Sequence, residues 1–198
     1  MAKIAPAAVR TLAPTQITVG MIEVGDKKKQ LSALKPAAQT DFLQQHPVPA
    51  VVGPQGKLYI TDHHHLGRAA LEVGITTMFC EILDDLSSHD VASFWQKMEQ
   101  NFWVHPLDEH GVCHLYSKLP PDLAHLVDDV YRSLAGYVRN SGGYDKSDEP
   151  FAEFVWADFF RRHVAVELLT SDFATAVKMA LPMAKSHYAK RLPGYKGG

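Results

Sequence analysis

The stretch LYITDHHHLGRAALEVG, residues 58–74, joins a strand-like segment to a run with helical spacing. Apolar residues recur at intervals of three and four from Leu66 to Val73, which is typical of one face of a helix. Gly74 suits the end of such a helix, because glycine tolerates the left-handed conformation found there. The stretch therefore predicts a strand that leads into a helix, with Asp62 and three consecutive histidines at the junction.

The flanking segments of the first ninety residues predict intermixed strands and short helices. QITVGMIEV (residues 16–24) has the β-branched content of a strand. Two short helices are predicted in DKKKQLSAL and PAAQTDFLQQH, with Pro36 in the first turn of the second. A hairpin around PQG is predicted from VPAVVG and KLYIT, and a further strand from TTMFCEIL.

Amphipathic helices dominate after residue 90. They are predicted in VASFWQKMEQ, LVDDVYRSLAGYVRN, PFAEFVWADFFRRHVAVELL and a last helix over residues 172–190 interrupted near Pro182, with a loop at SGGYDKSDE. The sequence therefore predicts an α+β fold in one compact unit. We expect a flexible arm over residues 1–14, a small mixed α/β domain over 15–90, and a helical extension over 91–198 packed on it.

Composition limits the classes of function. The 198 residues carry a formal charge of −2, so any contact with nucleic acid needs a local basic patch. Cys80 and Cys113 form no obvious disulfide framework, and no apolar run approaches the roughly 20 residues that cross a bilayer. A cytoplasmic protein without a membrane segment is expected.

The junction at Asp62 has a chemical interpretation, because a helix start presents backbone N–H groups and partial positive charge that suit a phosphate. The alternative is that Asp62 simply caps the helix by accepting a bond from the N–H of His64 or His65. Consecutive helical residues point about 100° apart, so at most two of the three histidines can face one ligand.

The segment YITDHHHLGRAALEVG resembles the signature box of the ParB/sulfiredoxin superfamily, and specifically of the ParB-like branch described as nucleases. Members carry D-G-H-H-R-x-x-A-A or G-E-R-R-x-R-A-A at a helix start. Asp62, His64, His65, Ala69 and Ala70 match the first form, and Arg68 matches the last arginine of the second. His63 stands where glycine is usual, and Leu66 replaces an arginine that often touches phosphate. The resemblance covers roughly residues 15–86, and the helices that contain DDVYRSLAGYVRN and EFVWADFFR resemble the extension of the same branch.

The resemblance implies an α/β domain that binds a nucleotide phosphate at the box, with ATP or another nucleotide and Mg²⁺ as ligands. Members hydrolyse nucleoside triphosphates while clamping DNA, repair sulfinic acid with ATP, or phosphorylate free serine. Sulfinic acid repair is excluded here because the box contains no cysteine. Among the box residues, Asp62 would hold magnesium or cap the helix. His64 and His65, with His63 as a further candidate, would contact phosphate, and Arg68 would neutralise developing charge.

Two candidates lie outside the box. Glu23 matches the acidic residue that kinase-like members carry near the first strand, and it would act as general base; otherwise it is an ordinary carboxylate at a strand end. Lys28, from the run Lys27–Lys29, would pair with phosphate, although a solvated charged face also explains the run.

Three other clusters have structural explanations. His110, Cys113 and His114 have helical i, i+3, i+4 spacing that could serve zinc, but a zinc site is not favoured because a fourth ligand is not evident and Gly111 weakens the helix. An aromatic group predicts core packing rather than base stacking; its members are Phe94, Trp95, Phe102 and Trp103. Asp128, Asp129 and Arg132 predict ion pairs along a helix, which need no further function.

The sequence thus predicts a nucleotide- or phosphate-binding protein that performs phosphoryl transfer or nucleotide hydrolysis. One alternative is a DNA-acting protein, either a metal-dependent nuclease or a DNA-binding adaptor, although duplex DNA is not the favoured partner at this net charge. Another alternative is a binding module without catalysis, which fits the missing glycine and arginine of the box.

Overall fold

The computed structural model describes residues 3–197 and confirms the predicted α+β fold. The chain forms two compact units rather than one. The sheet unit contains the residues up to Val19 together with Val24–Val127, and the helical unit contains Gly20–Glu23 together with the residues from Asp128 onward. The boundary predicted at residue 90 differs because Phe94 and Met98, beyond that point, pack with Val51 in one apolar cluster of the sheet unit.

The sheet unit alternates strands and helices. Its elements are β1 (Lys3–Ala8), β2 (Ala13–Pro14), β3 (Thr18–Val19), α1 (Met21–Ser32, whose first turn belongs to the helical unit), α2 (Pro36–Gln45), β4 (Val48–Val52), β5 (Leu58–Ile60), α3 (His64–Glu72), β6 (Thr77–Asp85) and α4 (Val91–Gln100), followed by β7 (Val127–Asp128) at the boundary. Short 3-10 helices cover Val9–Thr11, Pro54–Gly56, Tyr116–Lys118 and Leu123–His125.

Five strands form one mixed sheet in the order β1-β6-β4-β5-β2. The hairpin predicted around PQG is confirmed, since β4 and β5 pair antiparallel with Val51 opposite Tyr59. Strand β6 runs parallel to β4, with Val48 opposite Cys80. Strand β2 runs parallel to β5. Residues 61–63 join the carboxyl end of β5 to α3.

The arm predicted over residues 1–14 is wrong for its described part. Lys3–Ala8 pair antiparallel with β6, with Ala5 opposite Cys80. Pro6 is accommodated because β1 is an edge strand, where a missing backbone N–H costs no bond in the ladder. Residues 1 and 2 lie outside the described residues.

The strand predicted over residues 16–24 is also wrong beyond Val19. Helix α1 begins at Met21, and its first backbone N–H groups have acceptors within the helical unit. The N–H of Met21 donates to Asp128 Oδ1 at 2.9 Å, and the N–H of Ile22 donates to Ser133 Oγ at 3.3 Å. Such acceptors satisfy the amides that a helix start leaves unpaired, and they outweigh the β-propensity of the local sequence.

The helical unit consists of α5 (Val130–Asn140), α6 (Ala152–Arg161), α7 (Val166–Ser171), α8 (Phe173–Ala184) and a 3-10 helix over His187–Ala189. One helix was predicted from residue 150 to 169, but a turn after Arg161 divides it into α6 and α7. Helix α8 ends two residues beyond Pro182, close to the predicted interruption. Trp156 and Tyr144 stack at a centroid distance of 4.0 Å in the core of this unit.

The aromatic group of the sheet unit packs largely as predicted. Phe94 is buried, and Trp95 and Trp103 pack against the same cluster. Phe102 instead lies on the surface with 60% of its area exposed. Among residues 3–197, none of the helices has the length and apolar character needed to cross a membrane.

Candidate functional site

The junction between β5 and α3 begins the candidate site. His63 is the N-cap residue of α3, and its backbone is left-handed, with φ 59° and ψ 27°. Asp62 Oδ1 accepts the N–H of His63 at 2.6 Å, one residue before the amides at which the cap was predicted. The carboxylate lies one residue too early in the chain, and the His63 side chain makes no capping hydrogen bond in its place.

The left-handed backbone explains the departure noted at His63. Related boxes have glycine at this position, and glycine adopts positive φ without the steric cost that a Cβ atom brings. Histidine is one of the residue types that tolerates this region better than most. Position 63 therefore has a backbone conformation that glycine adopts readily, and this chain places an exposed imidazole there.

The three histidines have different environments, as the helical spacing required. The His64 side chain is buried, and its Nε2 accepts the backbone N–H of Thr15 at 3.1 Å. An accepting Nε2 carries no proton, so a neutral His64 is protonated at Nδ1. His65 is partly buried and His63 is exposed. His64 is thus fixed to the scaffold, while His63 and His65 are the histidines nearer to solvent.

Arg68 binds other parts of the protein rather than only facing outward. Its Nη1 donates to the carbonyl oxygens of Leu123 and Ala124, at 3.0 and 2.6 Å, and its Nε donates to Glu72 at 2.6 Å. The side chain is 16% exposed. Arg68 therefore holds the 3-10 helix Leu123–His125 against α3 inside the sheet unit.

Lys28 is not brought to the start of α3. Its Nζ lies 2.6 Å from Glu72 Oε2, and Glu72 is the last residue of α3. The hydrogen bond from Lys28, followed by that from Arg68, lowers the pKa of Glu72. At 1.5 Å rise per residue, this pair is roughly 12 Å along the helix from the start of α3. Lys28 and Arg68 meet at Glu72, and Asp62 and His63 meet at the opposite end.

Glu23 lies in the helical unit, in the first turn of α1 rather than at a strand end. Arg132 Nη1 donates to Glu23 Oε2 at 3.1 Å, and only 19% of the Glu23 side chain is exposed. A Cβ atom on Gly136 of α5 would lie 2.4 Å from Glu23 Oε1. The carboxylate is therefore held between an arginine and the bare backbone of a glycine.

The ion pairs predicted along α5 are wrong in their partners. Asp128 accepts the N–H of Met21 as described, and Arg132 pairs with Glu23. Asp129 is the N-cap of α5 and pairs with Arg161 at 2.7 Å. Burial raises the pKa of Asp129, against the attraction of Arg161. These three side chains tie separate segments together instead of pairing with one another.

The helix predicted for the histidine and cysteine cluster is wrong, because residues 105–115 form an irregular loop. Asp108 organises this loop: it accepts the backbone N–H groups of His110 and Val112 and pairs with His114 Nε2 at 2.7 Å. The hydrogen bond from His114 is the main cause that lowers the pKa of Asp108 to about 2. Within the described residues, the histidines, cysteines and carboxylates form no group of three suited to a metal ion.

The sheet with its box helix, followed by the helices that carry DDVYRSLAGYVRN and EFVWADFFR, defines a ParB-like class of protein. Residues 5–162 match the family described as "Putative ParB-like nuclease", and the chain belongs to this family. It is also similar to protein Atu1540 from Agrobacterium tumefaciens, known from a crystal structure, with 37% identity and a TM-score of 0.94 over 100% of this chain and 98% of that one. No curated protein matches the chain.

Sequence reasoning missed several residues that build the site. Thr15 contributes through its backbone N–H, which leaves no signature in residue type. The carbonyl groups that Arg68 binds are equally invisible in the sequence. Glu72 could have been found, since it lies four residues after Arg68 on the predicted helix, where opposite charges pair.

Proposed function

We propose that this ParB-like protein binds a nucleotide or another phosphate-bearing ligand at the start of α3 and acts in phosphoryl transfer or nucleotide hydrolysis. The observation that carries the proposal is the left-handed His63, whose side chain caps nothing at the N-terminus of a nine-residue helix. A helix start of this kind favours an anion through its amide groups and partial charge.

We propose roles within the box according to the exposure and the hydrogen bonds of each side chain. Asp62 and His63 are exposed at the helix start, and His65 is partly exposed, so these are the side chains we propose for magnesium and phosphate contacts. His64 supports the site by fixing Thr15, and Arg68 supports it by fixing residues 123–124. A phosphate role for either of these two, or for Lys28, would require a ligand to compete with the bonds described above.

A thermal-shift screen with ATP, ADP, CTP and GTP, each with and without Mg²⁺, tests the binding proposal. A ligand at 100 times its Kd stabilises the native state by about 2.7 kcal/mol, which raises the melting temperature by roughly 5 °C or more. His65→Ala and Asp62→Asn should reduce that shift and lower the affinity measured by calorimetry. His89→Ala, at an exposed position outside the box, is the control. If no nucleotide or phosphate compound binds, or if the box variants match the control, the proposal fails.

The general-base role predicted for Glu23 has a test of its own, separate from that of binding. For any nucleotide-dependent activity found, Glu23→Gln should lower turnover by about 10²–10⁴-fold while nucleotide affinity stays almost unchanged. Glu153→Gln is a matched control, because Glu153 is a partly buried carboxylate of the same unit that also pairs with an arginine, Arg139. If both variants keep activity within a fewfold, Glu23 has a structural role.

A second candidate is metal-dependent nuclease activity, which the name of the family favours. Nicking of supercoiled plasmid with Mg²⁺ or Mn²⁺ tests it, with Asp62→Asn as the variant that should lose activity. Cleavage that persists in this variant would argue against a nuclease site at the start of α3.

A further inference from the structure

The C-terminal segment is positively charged, whereas the whole chain has a negative net charge. Residues 173–198 contain five of the 20 lysines and arginines and none of the 22 aspartates and glutamates, although the complete chain carries −2. The segment is therefore basic in sequence, and of its five cations Lys196 pairs with Asp145 at 3.0 Å. It lies beyond residue 162, where the family match ends.

The cations of this segment lie on the surface. Helix α8 buries Ala176, Ala180 and Ala184 in the core of the helical unit. The opposite stripe is exposed and includes Lys178 and Lys185, which are seven residues apart and hence on one helical face. The exposed stripe thus carries positive charge with few large apolar groups.

An aromatic side chain lies within the same run of cations. Tyr188 is 83% exposed, the highest value among the large hydrophobic side chains of the described surface. It follows Lys185 by three residues and precedes Lys190 and Arg191, both exposed. Its ring meets the exposed His187 ring edge to face at 6.5 Å. An exposed ring between cations can stack on an unpaired base.

We propose that the cationic surface, defined as the exposed residues of Lys178–Arg191, binds single-stranded nucleic acid. Lysine and arginine neutralise backbone phosphates, and Tyr188 stacks on a base. An anionic membrane surface fits less well, because interfacial helices insert a broad face of large apolar residues. The exposed stripe of α8 offers alanine, lysine, Pro182 and one large apolar side chain, Met179, instead. Duplex DNA offers phosphates but no unstacked base for Tyr188.

Fluorescence anisotropy of a labelled 20-nucleotide oligo(dT) with the full chain, over a range of salt concentrations, tests the proposal. Tyr188→Ala should weaken binding roughly tenfold, and Tyr188→Phe should restore it. Replacing Lys185, Lys190 and Arg191 by alanine should reduce the slope of log K against log salt by about 2, because each neutralised phosphate of a single strand contributes about 0.7. The matching duplex should bind more weakly than the single strand.

The matched control is a triple variant of exposed lysines in the sheet unit, Lys29, Lys35 and Lys118 to alanine, which removes the same charge. Circular dichroism and melting curves are used to check that each variant is folded. The proposal is overturned if oligo(dT) shows no binding at low salt, or if the control triple reduces the slope as much as the C-terminal triple. Binding only to vesicles of phosphatidylserine and phosphatidylcholine would also overturn it. The cationic surface belongs to the helical unit and the α3 site to the sheet unit, and we expect variants of the α3 site to leave oligo(dT) affinity unchanged.

Discussion

Helices α3 and α5 both follow an aspartate, but only one of them is capped by it. At α5 the N-cap residue Asp129 accepts the N–H of Tyr131 at 3.0 Å and is buried against Arg161. At α3 the aspartate precedes the N-cap by one residue, and the N-cap is a left-handed histidine. A shift of one residue separates the helix start that an aspartate caps from the helix start at which we propose that a ligand binds.

The largest loss of stability is expected when the cap of α5 is removed. Asp129→Ala removes a buried carboxylate and leaves Arg161 Nη2 without its partner, so we expect the helical unit to lose roughly 3–5 kcal/mol of stability. Asp172→Ala is the control, because Asp172 caps α8 through the N–H of Thr175 but is exposed. Its removal should cost clearly less stability than the loss of the buried Asp129 pair. Denaturant unfolding curves measure both, and equal losses would show that burial of the Asp129 pair adds nothing.

The next effect concerns His64, a buried histidine that we compare with the partly buried His65. His64→Ala leaves the buried N–H of Thr15 without its acceptor and opens a cavity, so we expect a loss of about 2–4 kcal/mol in the sheet unit. His65→Ala should cost less than about 1 kcal/mol, because that side chain is only partly buried. Hydrogen exchange of peptides covering α3 reports the local effect. Similar protection in the two variants would contradict the assigned roles.

Local patterns predicted the hairpin, α3, β6 and α4, because alternation and helical spacing in those segments agree with their final packing. The start of α1 could not be predicted, since its acceptors, Asp128 and Ser133, are more than 100 residues away in sequence. The same applies to Glu23, whose partner Arg132 is 109 residues distant. The box was recognisable from residue types, whereas the use of His64 and Arg68 depends on backbone groups that no residue type reveals.

A smaller effect is expected at the left-handed residue itself. His63→Gly removes the steric cost of a Cβ atom at φ 59°, and we expect a gain of about 0.5 kcal/mol after the entropy cost of glycine. Gln55→Gly is a matched control, since Gln55 is exposed and has φ 62°. Both variants should gain similar stability in thermal unfolding, but only His63→Gly should change the affinity for a phosphate ligand. An unchanged affinity would remove His63 from the proposed contacts.

The smallest effect expected is a change in the pKa of Asp108, which lies in the loop over residues 105–115 of the sheet unit. The side chain of His114 is the main cause that lowers the pKa of Asp108 from 3.8 to about 2. Because the folded pKa is the lower one, the stabilising contribution is present above pH 3.8 and is lost as the pH falls toward about 2. His114→Ala should move the pKa of Asp108 up toward its ordinary value. The stabilising contribution should then be smaller and be lost over a narrower range of pH.

His110→Ala is the control for this titration. His110 reaches Asp108 through its backbone N–H, which alanine retains, and its ring pairs instead with Glu109. Carbon-detected NMR of the Asp108 carboxyl group should therefore show an upward pKa shift in His114→Ala and none in His110→Ala. A shift of equal size in both variants would mean that the loop conformation, rather than the His114 bond, sets the pKa. Stability should change little in either case, since an ion pair near the surface contributes at most about 1 kcal/mol.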